Sequence, residues 1–557
     1  MGMKKSAMKK CRIILFVLLG LLLVSAADCP SDVYAAKIIA RGECGEKVRN
    51  AQGEKEGRDL VKWKLNSRGV MTIYGMGRME DCANWRWRLW GGNDQKIKKL
   101  VIKEGVTNIG ICTFQRCRNL SQIVLPESLE VIDTKAFEGC TSLKEVTLPD
   151  SIRYVGPTAF ANCQSLKKIK FPDSACYIED WAFWGCTGLE RVTLPAAVAY
   201  WGEKVFWKCT GIKYIEVEKE TRFLLPGELC DVYGDQWHVT CCSGYGMFTD
   251  CGDIRKVVFP KDIPVVPTKF LSGCQIEEVV NFPGKNSYIG SYPQIKGKKR
   301  YRVPEGVEAL QEGCFRNCTY EEIILPKGLK RIGARSFEGT PITGIKIPDT
   351  VEMIEEEAFL NGKLEKVIIP DSVKSIGQSA FEGCVYLKKI VLPKELTCIS
   401  MGMLYGTAIQ TIHIPKGVTA IESAAFMNCK QLQKVHIPAG VNKMGVGAFE
   451  GCDGLKRIKL PNSMKVVEPW IVKDCINLEE VVLPKEMEKM EDDIFQGCTS
   501  LKTIRITSKN LREVQTDPFY GVEQGFTIYV PEEKLQEYQE LFAQSVSNMD
   551  RIQWKTI

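Results

Sequence analysis

Twenty-four cysteines and three histidines are the residues of this 557-residue chain with the most chemistry to offer. Thiols can pair, bind metals or act as nucleophiles, and each role needs a particular neighbour. His238 precedes Cys241 and Cys242 closely enough to suggest a thiol–imidazole pair. Three residues is a short reach, and no oxyanion donor can be named beside it. A hydrolase hidden in residues 218–303 is therefore the weakest functional reading. His413 and His436 stand 23 residues apart, without a carboxylate or thiol partner to complete a metal site. No His-Glu-x-x-His, Gly-x-Ser-x-Gly, phosphate-loop or Cys-x-x-Cys pattern occurs. No enzyme activity, cofactor or metal site is predicted.

Most of the cysteines belong to a rhythm instead. In Phe137-Glu138-Gly139-Cys140-Thr141-Ser142-Leu143-Lys144-Glu145-Val146-Thr147-Leu148-Pro149, count from Phe as zero. Cys falls at +3, aliphatics at +6 and +9, Leu at +11 and Pro at +12. Phe114, Phe137, Phe160, Phe183 and Phe206 keep this period, and their cysteines keep step. The phrase returns at Phe315, Phe337, Phe359, Phe381, Leu404, Phe426, Phe449, Val472 and Phe495, with degraded copies near Phe248 and Phe270. A period of 20–50 residues is the mark of a solenoid, here of about sixteen turns.

Alternating apolar residues at +9 and +11 make a half-buried strand, and the proline ends it. Leu129 and Ile132 then follow Pro126 at spacings of three, before Gly or another small residue lets the chain turn. One turn cannot bury its own apolar edge, so neighbours stack and share a core. Sixteen parallel strands spaced about 4.8 Å apart give a rod roughly 75–80 Å long. The ladder cysteines are expected to stay reduced, packing as small hydrophobes whose S–H groups meet backbone carbonyls. The off-ladder Cys230, Cys241, Cys242 and Cys251 are the candidate disulfide cysteines.

These residues resemble the BspA-like leucine-rich-repeat family over most of residues 101–506. The resemblance implies a leucine-rich-repeat solenoid with short helical or irregular returns, 22–23 residues per repeat. It also implies a secreted or cell-surface binding protein, often an adhesin, without implying a ligand.

The solenoid needs ends. Lys4, Lys5, Lys9, Lys10 and Arg12 precede an apolar run, so residues 1–35 read as a secretory signal. No membrane span is expected after its cleavage. Residues 36–100 read as a β-rich cap: Val61, Trp63 and Leu65 alternate, and Val70 to Tyr74 is again strand-like. Trp85, Trp87 and Trp90 either close that cap or stack on sugar rings. Residues 101–217 form a first block of repeats and 304–508 a second. Between them, 218–303 reads as degenerate repeats or an inserted loop. Residues 509–557 form a second cap, with Leu535, Tyr538, Leu541 and Phe542 on one helix face.

The formal charge is +7, and falls to +4 once the five basic and two acidic residues of 1–35 are removed. That mild excess gives no nucleic-acid signature. Its placement is more informative, because +8 and +10 point outward when +9 and +11 point inward. These positions carry Lys168, Lys170, Arg191, Lys346, Lys366, Lys389, Lys434, His436, Arg457, Lys459 and Arg505, with Glu145, Glu216 and Glu480 as acidic exceptions. A basic ribbon of this kind suits an acidic glycan, another polyanion or an acidic protein patch. Trp184 and Trp207 occupy +1 on adjoining rungs, as a sticky patch or as packing. The leading reading is an exported adhesin-like binding protein. A structural component of a surface or wall is the alternative.

Overall fold

The computed structural model describes residues 36–557 apart from 50–54, 59, 83–88, 175, 222, 224–229, 233–236, 240–243, 284–287 and 548. The expected signal segment and Trp85, Trp87, Cys241 and Cys242 therefore lie outside the described residues, as do the side chains of Cys230 and His238.

Each coil begins with a strand of three or four residues, such as Glu145–Thr147, whose middle residue is buried and whose flanks are exposed. The strand pairs in parallel with the next one, Lys168–Lys170, as Glu145 faces Lys168 and Thr147 faces Lys170. The following proline ends it, because proline has no N–H for the ladder. A two-residue strand comes next: Val131–Ile132 pairs in parallel with Tyr154–Val155, which pairs with Cys176–Ile178. These short strands form a second sheet, and Ile132, Val155 and Ile178 point into the core. The sequence reading expected irregular returns here, since two residues are too few to show a period.

Tight turns carrying the phenylalanine close the coil. Residues two before and two after it have positive φ, as at Glu357 and Asn361 around Phe359. Asparagine and glycine tolerate that backbone best, and Gly383 is held further because a Cβ would meet the Asn361 Oδ1 at 2.1 Å. The turns bond to each other through the backbone, with Phe137 N donating to Ala159 O at 2.7 Å.

The phenylalanines stack face to face along the axis. Trp90, Phe114, Phe137, Phe160, Phe183, Phe206 and Phe248 form one run, with centroids 5.0–5.6 Å apart. Beside them most ladder thiols donate to the carbonyl of the Phe-position residue one coil earlier. Cys163 reaches Phe137 O at 3.3 Å, Cys186 reaches Phe160 O at 3.2 Å, and Cys452 reaches Phe426 O at 3.1 Å. Cys251, expected as a disulfide partner, belongs to this ladder and donates to Phe206 O at 3.1 Å. Its place follows from Phe248, three residues earlier, stacking on Phe206.

The solenoid has about 19 turns rather than sixteen. Three coils escape the sequence rhythm because another residue stands in for the expected phenylalanine, or because the copy is otherwise degenerate. Trp90 takes its place in the first, Tyr292 in the one before Phe315, and Phe519 in the last. Residues 244–283 also form coils, and their strands Asp253–Val258 and Gln275–Val280 continue the main sheet.

Both ends are covered. Lys62–Asn66 and Val70–Tyr74 form the expected antiparallel hairpin, and the latter strand joins Lys99–Ile102 in parallel. At the far end the helix Leu535–Ala543 buries Tyr538 and Phe542, with Phe542 stacked on Phe519 at 5.9 Å. A last strand, Ile552–Thr556, pairs with Phe526–Val530 and was not anticipated.

Burial pushes the thiols of Cys163, Cys384, Cys452 and Cys498 up, those of Cys384 and Cys498 to about 12. Such thiols are protonated and poor nucleophiles at pH 8. Alkylation of the native protein at pH 8 should therefore spare Cys163, Cys384 and Cys452 and label the partly exposed Cys82, Cys112 and Cys398. Mass mapping reads the difference, and ladder labelling should appear only in denaturant.

Candidate binding face

Period-two alternation decides which side chains leave the rod. Over six consecutive strands of the main sheet, from Gly344–Lys346 to Arg457–Lys459, the middle residue faces the core and its neighbours face out. The outward positions carry Lys346, Lys366, Lys389, Lys434, Arg457 and Lys459, together with His413 and His436, and no acid. Lys366 stands directly opposite Lys389 in the ladder, and His413 opposite His436. The two imidazoles stack with centroids 5.4 Å apart.

Other parts of the rod pair their charges across rungs. On neighbouring faces, cations meet acids one rung away: Lys330 with Glu308 at 2.9 Å, Lys374 with Glu352 at 3.0 Å, and Arg335 with Glu357 at 2.7 Å. Among the described residues, Lys346, Lys366, Lys389, Lys434 and Lys459 have no ion pair. Arg457 does, because Glu480 on the next strand accepts its Nε at 2.7 Å and also accepts from Arg505 at 2.9 Å.

The expected ribbon is consequently not continuous. Lys168, Lys170 and Arg191 form a smaller cluster, in which the Arg191 guanidinium lies 4.5 Å above the Tyr214 ring. Between the two patches some outward charges are paired, Lys256 with Glu278 at 2.9 Å and Arg300 with Glu322 at 3.1 Å. Trp184 and Trp207 stack at 5.7 Å, half-buried, but on the turn face rather than the sheet face. The nominated residues thus fall on two faces.

Ile368 and Val391 were not nominated, and both are exposed beside the lysines, Ile368 by 67%. They face each other across the ladder, and Ile368, with Lys346, Lys366, Lys389 and Asp349, edges a shallow depression of about 670 Å³. Their signal was present as apolar residues at outward positions. Among the described residues no helix is long and apolar enough to cross a membrane.

A family profile for the BspA type leucine rich repeat region matches residues 92–222, 242–294, 308–433 and 419–548, in six copies. The chain belongs to the BspA-type leucine-rich repeat family. Solved structures similar to this BspA-type protein include a leucine-rich repeat protein from Eubacterium ventriosum. It is 18% identical, with 73% of this chain and 91% of that one covered and a TM-score of 0.33. Another, from Bacteroides ovatus, is 18% identical over 89% and 98% of the two chains, TM-score 0.29. A leucine rich cell surface protein from Faecalibacterium prausnitzii is 17% identical over 82% and 92%, TM-score 0.29. A search of curated proteins finds no match.

The arginines around Glu480, Arg505 foremost and then Arg457, hold its carboxyl below the usual glutamate range. A lowered carboxyl stabilises the fold above the ordinary glutamate pKa and ceases to do so as pH falls through its lowered value. Glu480→Gln should therefore cost no more than about 1 kcal/mol at pH 7, given the pair's exposure. Thermal unfolding should show that difference shrinking towards pH 3. On a cation exchanger at pH 7 the variant should elute later, since Arg457 is released.

Proposed function

We propose that this protein is an exported, adhesin-like binding protein whose sheet face over residues 344–459 holds a polyanion at a cell surface, either an acidic glycan or an acidic stretch of protein. The observation that carries this reading is a run of six consecutive strands whose outward positions hold lysine, arginine and histidine but no acid, with five of the lysines outside any ion pair among the described residues. A face bearing one sign of charge raises the local concentration of an oppositely charged partner. Its repeat, about 4.8 Å from rung to rung, matches a polymer better than a point ligand. Exposed Ile368 and Val391 add apolar contact within the same patch. Export rests on the basic and apolar pattern of residues 1–35. The family's repeat fold is a scaffold for binding, and the proposed role is binding rather than catalysis. The two caps favour a freestanding binder over a wall component assembled end to end.

The test uses the protein without its first 35 residues on an array of sulfated, carboxylated and neutral glycans and acidic peptides, at two salt concentrations. Binding should be confined to the anionic probes and weaken with salt. Joint reversal of Lys366, Lys389 and Lys434 to Glu should reduce it roughly tenfold or more while circular dichroism stays unchanged. Salt-insensitive binding, or an unaffected triple variant, would remove the sheet face from the mechanism.

A further inference from the structure

A different place in the fold holds a cleft of about 600 Å³, within the range of small-ligand sites. It arises where a turn is missing. Most other coils project about six consecutive turn residues around their phenylalanine, but Ser291-Tyr292-Pro293 passes through without them. Tyr292 stacks on Phe315 at 4.3 Å and its N–H donates to Cys314 O at 3.0 Å, so the core continues while the surface is cut back.

One wall of this gap is aromatic. Trp207 is stacked on Trp184 on one side, and the next rung offers only Thr249 at the corresponding place, so the indole lines the cleft. Its Nε1 donates to Asp250 Oδ2 at 3.1 Å, which fixes the ring plane. Tyr245 lies beyond, with the Lys269 ammonium 5.1 Å from its ring centre. The Lys204 ammonium is 5.9 Å from the Trp207 centroid and that of Lys208 is 4.5 Å from it. Glu203 faces Lys204 and Lys269 from outside the lining, and burial pushes its carboxyl up. The remaining lining is rich in groups that both donate and accept, among them Gln275, Gln294, Asn317 and Ser272.

We propose that this cleft is a saccharide subsite that takes one carboxylate-bearing sugar ring, stacked on Trp207 with its carboxylate between Lys204 and Lys269. The C–H face of a pyranose is complementary to the negative face of an indole. Amides and a carboxylate at the rim match ring hydroxyls, which donate as well as accept. Lysines supply the charge for the acid group. A nucleotide could also stack here, but Asp250 and the amide acceptors suit hydroxyls better than phosphate oxygens. The subsite is independent of the sheet face and of the function proposed for it.

The experiment is saturation-transfer NMR and calorimetry on the protein without its first 35 residues. The probes are glucuronate, galacturonate, N-acetylneuraminate, glucose and AMP. At least one acidic sugar should bind, roughly tenfold better than glucose, given the two lysines. Trp207→Ala should abolish that binding, and Trp207→Phe should retain part of it by keeping a ring. The Lys366, Lys389 and Lys434 triple reversal should leave it unchanged, which separates this subsite from the sheet face. Binding of none of the sugars overturns the proposal, as does binding of AMP alone or full retention by Trp207→Ala. Equal binding of glucose overturns the assignment of Lys204 and Lys269.

Discussion

The rung-to-rung register governs this protein, and the thiol ladder states it in its smallest form. A buried Phe-position carbonyl such as that of Phe137 accepts from Cys140 N within its own turn at 3.2 Å and from the Cys163 thiol of the next coil at 3.3 Å. A coil displaced by one residue would therefore lose its thiol bond, its Phe stack and both ladders together. Where threonine stands at the cysteine position its hydroxyl donates within its own turn, Thr407 to Leu404 O at 2.9 Å. Each repeat thus depends on its neighbouring coil as well as on its own turn.

That dependence explains which parts of the fold were legible. Position +3 could be read as a ladder because its residue type recurs with the phenylalanine, and both reach the core. Trp90 and Tyr292 stack on Phe114 and Phe315, yet they were passed over because stacking selects a flat ring rather than phenylalanine alone. Phe519 was hidden because Val522 stands where its coil's cysteine would be. The second sheet was hidden for another reason. Strands such as Val466–Val467 have only two residues, and alternation needs more. The closing strand Ile552–Thr556 is set by pairing with Phe526–Val530, a partner in space that carries no repeat phrase.

The binding face was half legible. Outward lysines follow from period two, whereas pairing depends on which residue stands one rung away. Arg457 and Glu480 are 23 residues apart, so that pair could have been read by adding one period. The cleft beside Trp207 could not, because it is made by a turn that is missing and by the joint approach of Lys204, Tyr245 and Lys269. Nothing in a local stretch of sequence marks an empty place.

Register also sets the terms for charge. Stacking like on like brings identical positions about 4.8 Å apart, so any charge repeated at one position meets itself. In water such a pair repels by nearly 1 kcal/mol at that distance, more where solvent is partly excluded. The rod converts this into attraction where acids and bases are offset by one rung, as with Glu308 and Lys330 or Glu352 and Lys374. The face from 344 to 459 does not use that device, and sets Lys366 directly against Lys389. Its charge therefore works against the stacking that the Phe and thiol ladders supply. A solenoid with a continuous buried core can carry this load, because the repulsion is small beside the aromatic and aliphatic area each coil buries. The same load is relieved when an anion lies across the rungs, so the energetics of the rod and those of binding are coupled through one column of lysines.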